Sequence, residues 1–315
     1  MTGPRVSRVS FLRVVMLSAV AAVLPWHGSS AQSTTELKAR IDQLEQRIER
    51  LERDVLRPLP MMKPAPRPEA VLSDAIAAQD CPAPAVRLAR APLTICFSSK
   101  WKIPVWVGYT VSEDSLKGNA RRTDDFRPDP GIDAKDQAAL ADYRGSGYDR
   151  GHMAPAAAFK ASRAVMSNTF LMTNMAPQTP VLNRNVWRLL EDAVRDLALA
   201  KGPLWVFTGN TFTDKTTGRP AEPAETIGPG KVAVPTASYK AILYKGKDGQ
   251  VRMLAISIPN WRGGLDRDFR SYVTSIDAIE LATGIDFFAF LSNDLENALE
   301  AKVHPWPEPK TAAKK

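Results

Sequence analysis

Five prolines within eleven residues, Pro58, Pro60, Pro64, Pro66 and Pro68, are the strongest constraint on how this 315-residue chain can fold. Proline lacks the amide hydrogen that a helix interior or central strand needs, and its ring holds φ near −65°, so no regular element crosses this stretch. Residues 58–70 therefore read as a stiff, extended linker. A compact domain has to be built from the chain beyond this linker, about residues 71–305, and the segment before it is separate from that domain.

The segment before the linker has two parts. Arg5, Arg8 and Arg13 come before an apolar run from Val14 to Leu24, and Pro25 and the small residues Ser29, Ser30 and Ala31 come after it. This order reads as a secretory signal peptide over residues 1–31, which makes the protein periplasmic or secreted, with no stable membrane span after cleavage. The alternatives are an uncleaved membrane anchor and a mitochondrial presequence, because no acidic residue occurs before Glu36. Over residues 32–57, Leu37, Ile41, Leu44, Ile48, Leu51 and Val55 alternate spacings of four and three, the seam of a short coiled coil. β-Branched residues at Ile41, Ile48 and Val55 with leucines between them favour a parallel homodimer through residues 33–57. A trimer, or a single amphipathic helix lying on the body, uses the same stripe.

Charge excludes little and locates less. The chain carries 42 Lys and Arg against 34 Asp and Glu, a formal +8, which suggests an acidic partner. Residues 71–305, however, hold 28 basic and 26 acidic residues, and the excess sits in the leader, the linker and a basic tail at 306–315. Two cysteines and three histidines rule out a Cys-rich zinc site and leave little for a histidine-rich one, so any metal is expected to be held by oxygen. In an oxidising compartment Cys81 and Cys96 can form a disulfide around a short proline-containing loop, stabilising the fold by roughly 3 kcal/mol. Two buried free thiols are the other reading.

Within the body, strand and helix signals alternate without a regular βαβ rhythm, which gives an α+β class. Strands are expected at Ile103–Val111, Thr169–Met175 and Leu204–Thr208. Ala241–Tyr244 and Val251–Ile258 flank Lys247-Asp248-Gly249 as a hairpin. Helices are expected from Arg184 to Lys201, stopping at Gly202-Pro203, and from Ser275 to Gly284.

Chemistry concentrates between Tyr148 and Arg195. Loss of His27 with the leader leaves His152 as the one histidine inside the body, His304 lying near the end. His152 closes Asp149-Arg150-Gly151-His152, and Gln178, Asn183, Glu191 and Arg195 lie downstream, with Arg184 and Arg188 extending the helical face. Together they supply what phosphodiester hydrolysis needs: a neutral imidazole to take a proton from water, oxygen ligands for a hard divalent ion, and arginines for the non-bridging oxygens. Taken alone, Glu191 and Arg195 also read as an ordinary i,i+4 ion pair.

Tyr148-Asp149-Arg150-Gly151-His152-Met153-Ala154-Pro155 resembles the Asp-Arg-Gly-His signature of the DNA/RNA non-specific endonucleases, the ββα-metal or His-Me finger nucleases. Thr173-Asn174-Met175-Ala176-Pro177-Gln178, Leu182-Asn183-Arg184-Asn185-Val186-Trp187 and Leu190-Glu191-Asp192 resemble that family's second signature in register, and the similarity runs from about Cys96 to Val303. The resemblance implies a ββα-metal fold with a central, mainly antiparallel sheet flanked by helices. It implies His152 as general base, Asn183 as the main direct ligand of Mg²⁺ (Mn²⁺ the alternative), and Glu191 as the carboxylate acting on the metal through water. Arg122, Arg150 and Arg195 match the phosphate-facing arginines, and Asp149 takes a supporting role. Cleavage of DNA and RNA with little sequence preference, leaving 5′-phosphates, is the implied activity. An inhibitor protein as a further partner stays open. So do two rival roles, a coiled-coil envelope or assembly protein with a secondary nuclease domain, and a nucleic-acid-binding protein with a degenerate site.

Overall fold

The computed structural model describes residues 43, 44, 46, 75–214 and 216–307. The chain divides into two units, Met1–Pro64 and Ala65–Lys315. In the first, Gln43, Leu44 and Gln46 are helical and exposed. The expected leader, the rest of the heptad helix and the linker lie outside the described residues.

The second unit is built on a seven-stranded antiparallel sheet, ordered β1-β2-β3-β6-β9-β10-β11. Its strands are β1 (Val86–Arg90), β2 (Leu93–Ser98), β3 (Ile103–Val111), β6 (Leu204–Thr211), β9 (Ala237–Lys245), β10 (Val251–Pro259) and β11 (Val273–Thr274). Two short hairpins pair β4 (Asp149–His152) with β5 (Met175–Gln178), and β7 (Thr226–Ile227) with β8 (Val232–Ala233). Period-two alternation sends residues of each central strand to opposite faces. Val206, Ile242, Tyr244, Leu254 and Ile256 join one core, with Trp187, Leu190 and Val194 of the long helix. Phe207, Ala241, Leu243, Met253 and Ala255 join a second core on the other face, with Ile276, Ile279, Phe287 and Phe288. A sheet covered on both faces explains why β9 is buried at nearly every position.

The long helix opens with a π-helical turn, Leu182–Trp187, and continues as α1 (Arg188–Lys201) before Gly202. It covers the first core. Against the second core lie α2 (Ile276–Thr283) and α3 (Asn293–Glu300). Ser275 caps α2, its side chain accepting from Ala278 N, and Gly284 ends it in the left-handed region at φ 71°. Cys81 and Cys96 form a disulfide with Cα atoms 5.5 Å apart, tying the chain before β1 to β2.

One expectation needs correction. Thr169–Met175 is not a strand: Thr169 caps a short helix, Met172–Asn174 is a 3₁₀ turn, and extension begins at Met175. The run is apolar because it is buried, and Asn174 holds it folded by donating to the carbonyls of Thr169 (2.7 Å) and Ala154 (3.0 Å). Towards the end of the described residues, Trp306 is buried with its ring 5.0 Å from that of Phe269.

Candidate active site

The β4–β5 hairpin sets the site's frame. Asp149 stands opposite Gln178, Arg150 opposite Pro177, Gly151 opposite Ala176 and His152 opposite Met175. Gly151 is required by a close approach: a Cβ there would lie 2.2 Å from Oε1 of Gln178, whose side chain crosses the strand to donate to Ser238 Oγ at 3.1 Å.

Thr179, the residue after β5, couples the hairpin to the helix. Its carbonyl accepts from Asn183 N (2.9 Å) and its hydroxyl accepts from Leu182 N (3.2 Å). Asn260 and Trp261 fix Thr179 in turn, Asn260 Oδ1 accepting from its N–H and the Trp261 carbonyl from its hydroxyl, both at 2.8 Å. Asn183 therefore sits one helical turn beyond Thr179, which follows the residue that faces Asp149. Its Nδ2 donates to Asp149 Oδ2 (3.0 Å), and no described residue donates to its Oδ1. Arg184 closes on the same carboxylate from Nε (2.8 Å) and Nη2 (2.6 Å). Burial alone would raise the Asp149 carboxyl, but the hydrogen bonds from Arg184 and Asn183 and the nearby guanidinium charges hold it below the usual carboxylate range.

His152 is 8% exposed. Its ring meets those of Phe170 (4.9 Å) and Phe126 (5.6 Å), which are themselves in edge contact at 4.9 Å. The guanidinium of Arg150 lies 4.0 Å from the Phe126 centroid and that of Arg122 lies 4.9 Å from the Phe170 centroid. Two phenyl rings thus gather the histidine and both arginines. Burial, then the charges of Arg122 and Arg150, push the imidazole pKa down to about 3, so it is neutral at physiological pH. Its Nε2 is buried without a hydrogen-bond partner among the described residues. Arg150 has no acidic partner among them, whereas Arg122 pairs with Asp124 at 2.6 Å.

Glu191 and Arg195 share a face of α1, but the i,i+4 ion pair that their spacing also allows does not form. Arg195 pairs with Asp192 and donates to the Glu191 carbonyl at 3.2 Å. Among the charges acting on the Glu191 carboxyl Lys240 comes first, a residue that sequence reasoning missed. Lys240 is fully buried and donates to Thr208 Oγ1 (2.9 Å) and Tyr109 Oη (3.1 Å), with its ammonium 4.6 Å from the Trp187 centroid. Burial raises Glu191 and lowers Lys240, and the attraction between the two opposes both shifts. A visible signal existed: Lys240 shares the parity of Ile242 and Tyr244, the core-facing side of an apolar strand. Arg188, expected near the histidine, is exposed and paired with Asp192 at 2.8 Å.

The oxygens left without donors, the Asn183 amide oxygen and the Glu191 carboxylate, are hard ligands suited to a divalent ion such as Mg²⁺. A neutral buried imidazole, a guanidinium without an acidic partner among the described residues and free oxygen ligands beside the β4–β5 hairpin are the groups that metal-assisted phosphodiester hydrolysis uses. Residues 73–294 match the profile of the DNA/RNA non-specific endonuclease family, and the chain belongs to it. A nuclease from Nostoc sp. is 37% identical over 207 residues, covering 63% of this chain and 71% of the relative. Mitochondrial endonuclease G from Bos taurus is 34% identical over 201 residues, covering 63% and 67%. Among solved structures, the crystal structure of the EndoG/EndoGI complex, described as showing the mechanism of EndoG inhibition, matches with a TM-score of 0.64 and 26% identity. It covers 74% of this chain and 96% of that one.

Proposed function

We propose that this chain is an exported, metal-dependent endonuclease that cleaves DNA and RNA with little sequence preference, using His152 as general base. One observation carries the assignment: His152 is buried against Phe126 and Phe170, each of which carries an arginine, and Arg150 has no acidic partner among the described residues. Because Nε2 is shut away from solvent, proton transfer falls to Nδ1. Nδ1 takes a proton from water as the water oxygen attacks phosphorus, and the bond to the 3′ oxygen breaks, leaving a 5′-phosphate. Arg150 and Arg122 face the non-bridging oxygens. Asp149 keeps Asn183 and Arg184 in place, so the Asn183 oxygen would hold the metal directly and Glu191 would act on it through water. A bound Mg²⁺ or Mn²⁺ would offset charge building on the phosphorane and the leaving oxygen. Arg195, tied to Asp192, acts through the field at Glu191.

The same reading assigns residues 1–31 to a signal peptide, 32–57 to a dimerising helix, 58–70 to a linker, and the remainder up to the basic tail to the nuclease domain. Relatives include mitochondrial enzymes, so a mitochondrial address is the alternative to export. The test is nicking of supercoiled plasmid, and cleavage of RNA, in Mg²⁺, Mn²⁺ and EDTA. Cleavage in Mg²⁺ that stops in EDTA, with DNA ends that religate without added phosphate, is expected. Absence of cleavage in every divalent metal overturns the assignment.

A further inference from the structure

On the sheet face opposite the hairpin, α2 and α3 bring carboxylates together without a counter-charge. Asp277 and Glu280 lie one turn apart on α2, and Glu300 ends α3. One oxygen from each lies within 4.8 Å of the others. Glu280 Oε1 accepts from Phe287 N at 2.7 Å, which fixes its position. Glu300 is 5% exposed, and its Oε1 is buried with no hydrogen-bond partner among the described residues. Oε1 of Glu296, one turn earlier on α3, is buried and unpartnered as well. A buried acceptor with no donor is rare in native proteins and calls for a ligand to satisfy it.

The electrostatics agree. Every charged neighbour acting on Glu280 and Glu300 is another carboxylate, including Asp286 and Glu296. Burial first, then this mutual repulsion, pushes Glu280 to about 7 and Glu300 to about 8. A divalent cation would relieve both the repulsion and the orphaned oxygens. Coordination chemistry then selects among cations. Three carboxylate oxygens within 4.8 Å of one another, on two different helices and partly open to water, suit Ca²⁺, which accepts six to eight oxygens in flexible geometry, better than Mg²⁺, which demands a near-ideal octahedron and keeps most of its waters. Asp277 is exposed, so the cluster opens to water that can complete the coordination.

We propose that Asp277, Glu280 and Glu300 form a Ca²⁺ site that staples α3 to α2, apart from the catalytic metal and on the other face of the sheet. Glu296 and Asp286 add charge that draws the ion in.

The test uses the full chain dialysed against EDTA, with thermal unfolding followed as Ca²⁺ is added up to about 10 mM, above the weakest affinities usual for extracellular Ca²⁺ sites. A rise in Tm of roughly 5 °C is expected once Ca²⁺ reaches about a hundred times its dissociation constant. Mg²⁺ at equal concentration should give less. The shift should persist in Asn183→Ala, whose catalytic metal ligand is gone, and disappear in Glu300→Gln. Since Glu300→Gln removes a buried repulsion, its Tm in EDTA should equal or exceed that of the parent. Asp277→Asn, at an exposed position, should keep the fold and weaken the response. The proposal is overturned if the parent shows no Ca²⁺ shift, if Glu300→Gln keeps it, or if Asn183→Ala abolishes it.

Discussion

Gly151→Ala tests why the Asp-Arg-Gly-His strand has no side chain at its third position. The new methyl would lie 2.2, 2.4 and 2.5 Å from Oε1, Cδ and Cγ of Gln178, where ordinary contact begins near 3.4 Å. The Gln178 side chain must therefore move by about an ångström. It is fully buried, and its amide anchors Ser238, which donates to Asn210 Oδ1 at 3.1 Å. Overpacking of this kind costs about 1–3 kcal/mol, and loss of the Gln178–Ser238 bond about 1 kcal/mol more. At an unfolding entropy near 2.1 cal/mol/K per residue, the folded body should lose roughly 4–8 °C in Tm. The decisive assay is a double-mutant cycle in which Gln178→Ala clears the space that the methyl enters. Gly151→Ala with Gln178→Ala should be less destabilised than the sum of the single variants by at least about 1 kcal/mol. Additive effects, or a neutral Gly151→Ala, would refute the close-approach argument.

Three further outcomes rest on named contacts. Asp129 is fully buried; burial pushes its carboxyl up, but hydrogen bonds from Arg90 (2.7 Å), Gly131 N and Thr173 hold it below its usual 3.8. A depressed carboxylate stabilises above its unfolded pKa and loses that contribution as pH falls through the folded one. Asp129→Asn should therefore lower Tm at neutral pH and flatten the decline below about pH 5, and parallel Tm–pH curves would contradict this. Lys240→Met should reduce kcat by roughly 10–100-fold with KM little changed, since it removes the charge that balances Glu191; a kcat within about twofold of the parent would argue against that role. Reduction of the Cys81–Cys96 disulfide, with a sequence separation of 15, should cost about 3 kcal/mol in equilibrium unfolding, and no change in midpoint would refute the loop-entropy estimate.

Local signals in the chain predict the elements whose ends they mark. Ile103–Val111 is a strand over its expected length, the Lys247-Asp248-Gly249 turn joins β9 and β10, and Ser275 and Gly284 bound α2. The site residues are legible for a different reason. Apart from Arg122, they lie on one hairpin and the helix that leaves it, so their spacing survives folding. Long-range contacts escape this kind of reading. The field of Lys240 reaches Glu191 from a strand far away in sequence, and Phe126 and Phe170, from separate segments, each carry an arginine beside His152. Thr169–Met175 misleads because a buried turn held by Asn174 has the same apolar composition as a strand. Arg195 reads as Glu191's partner by i,i+4 spacing, yet Asp192, three residues before it, takes the ion pair.

The central claim is that a neutral His152 removes the proton from the attacking water. The most direct measurement is the rate of plasmid nicking by His152→Ala in saturating Mg²⁺, compared with the parent at matched fold by circular dichroism. The account predicts a loss of at least about 100-fold, the lower end for a general base. A rate within about tenfold of the parent would contradict it.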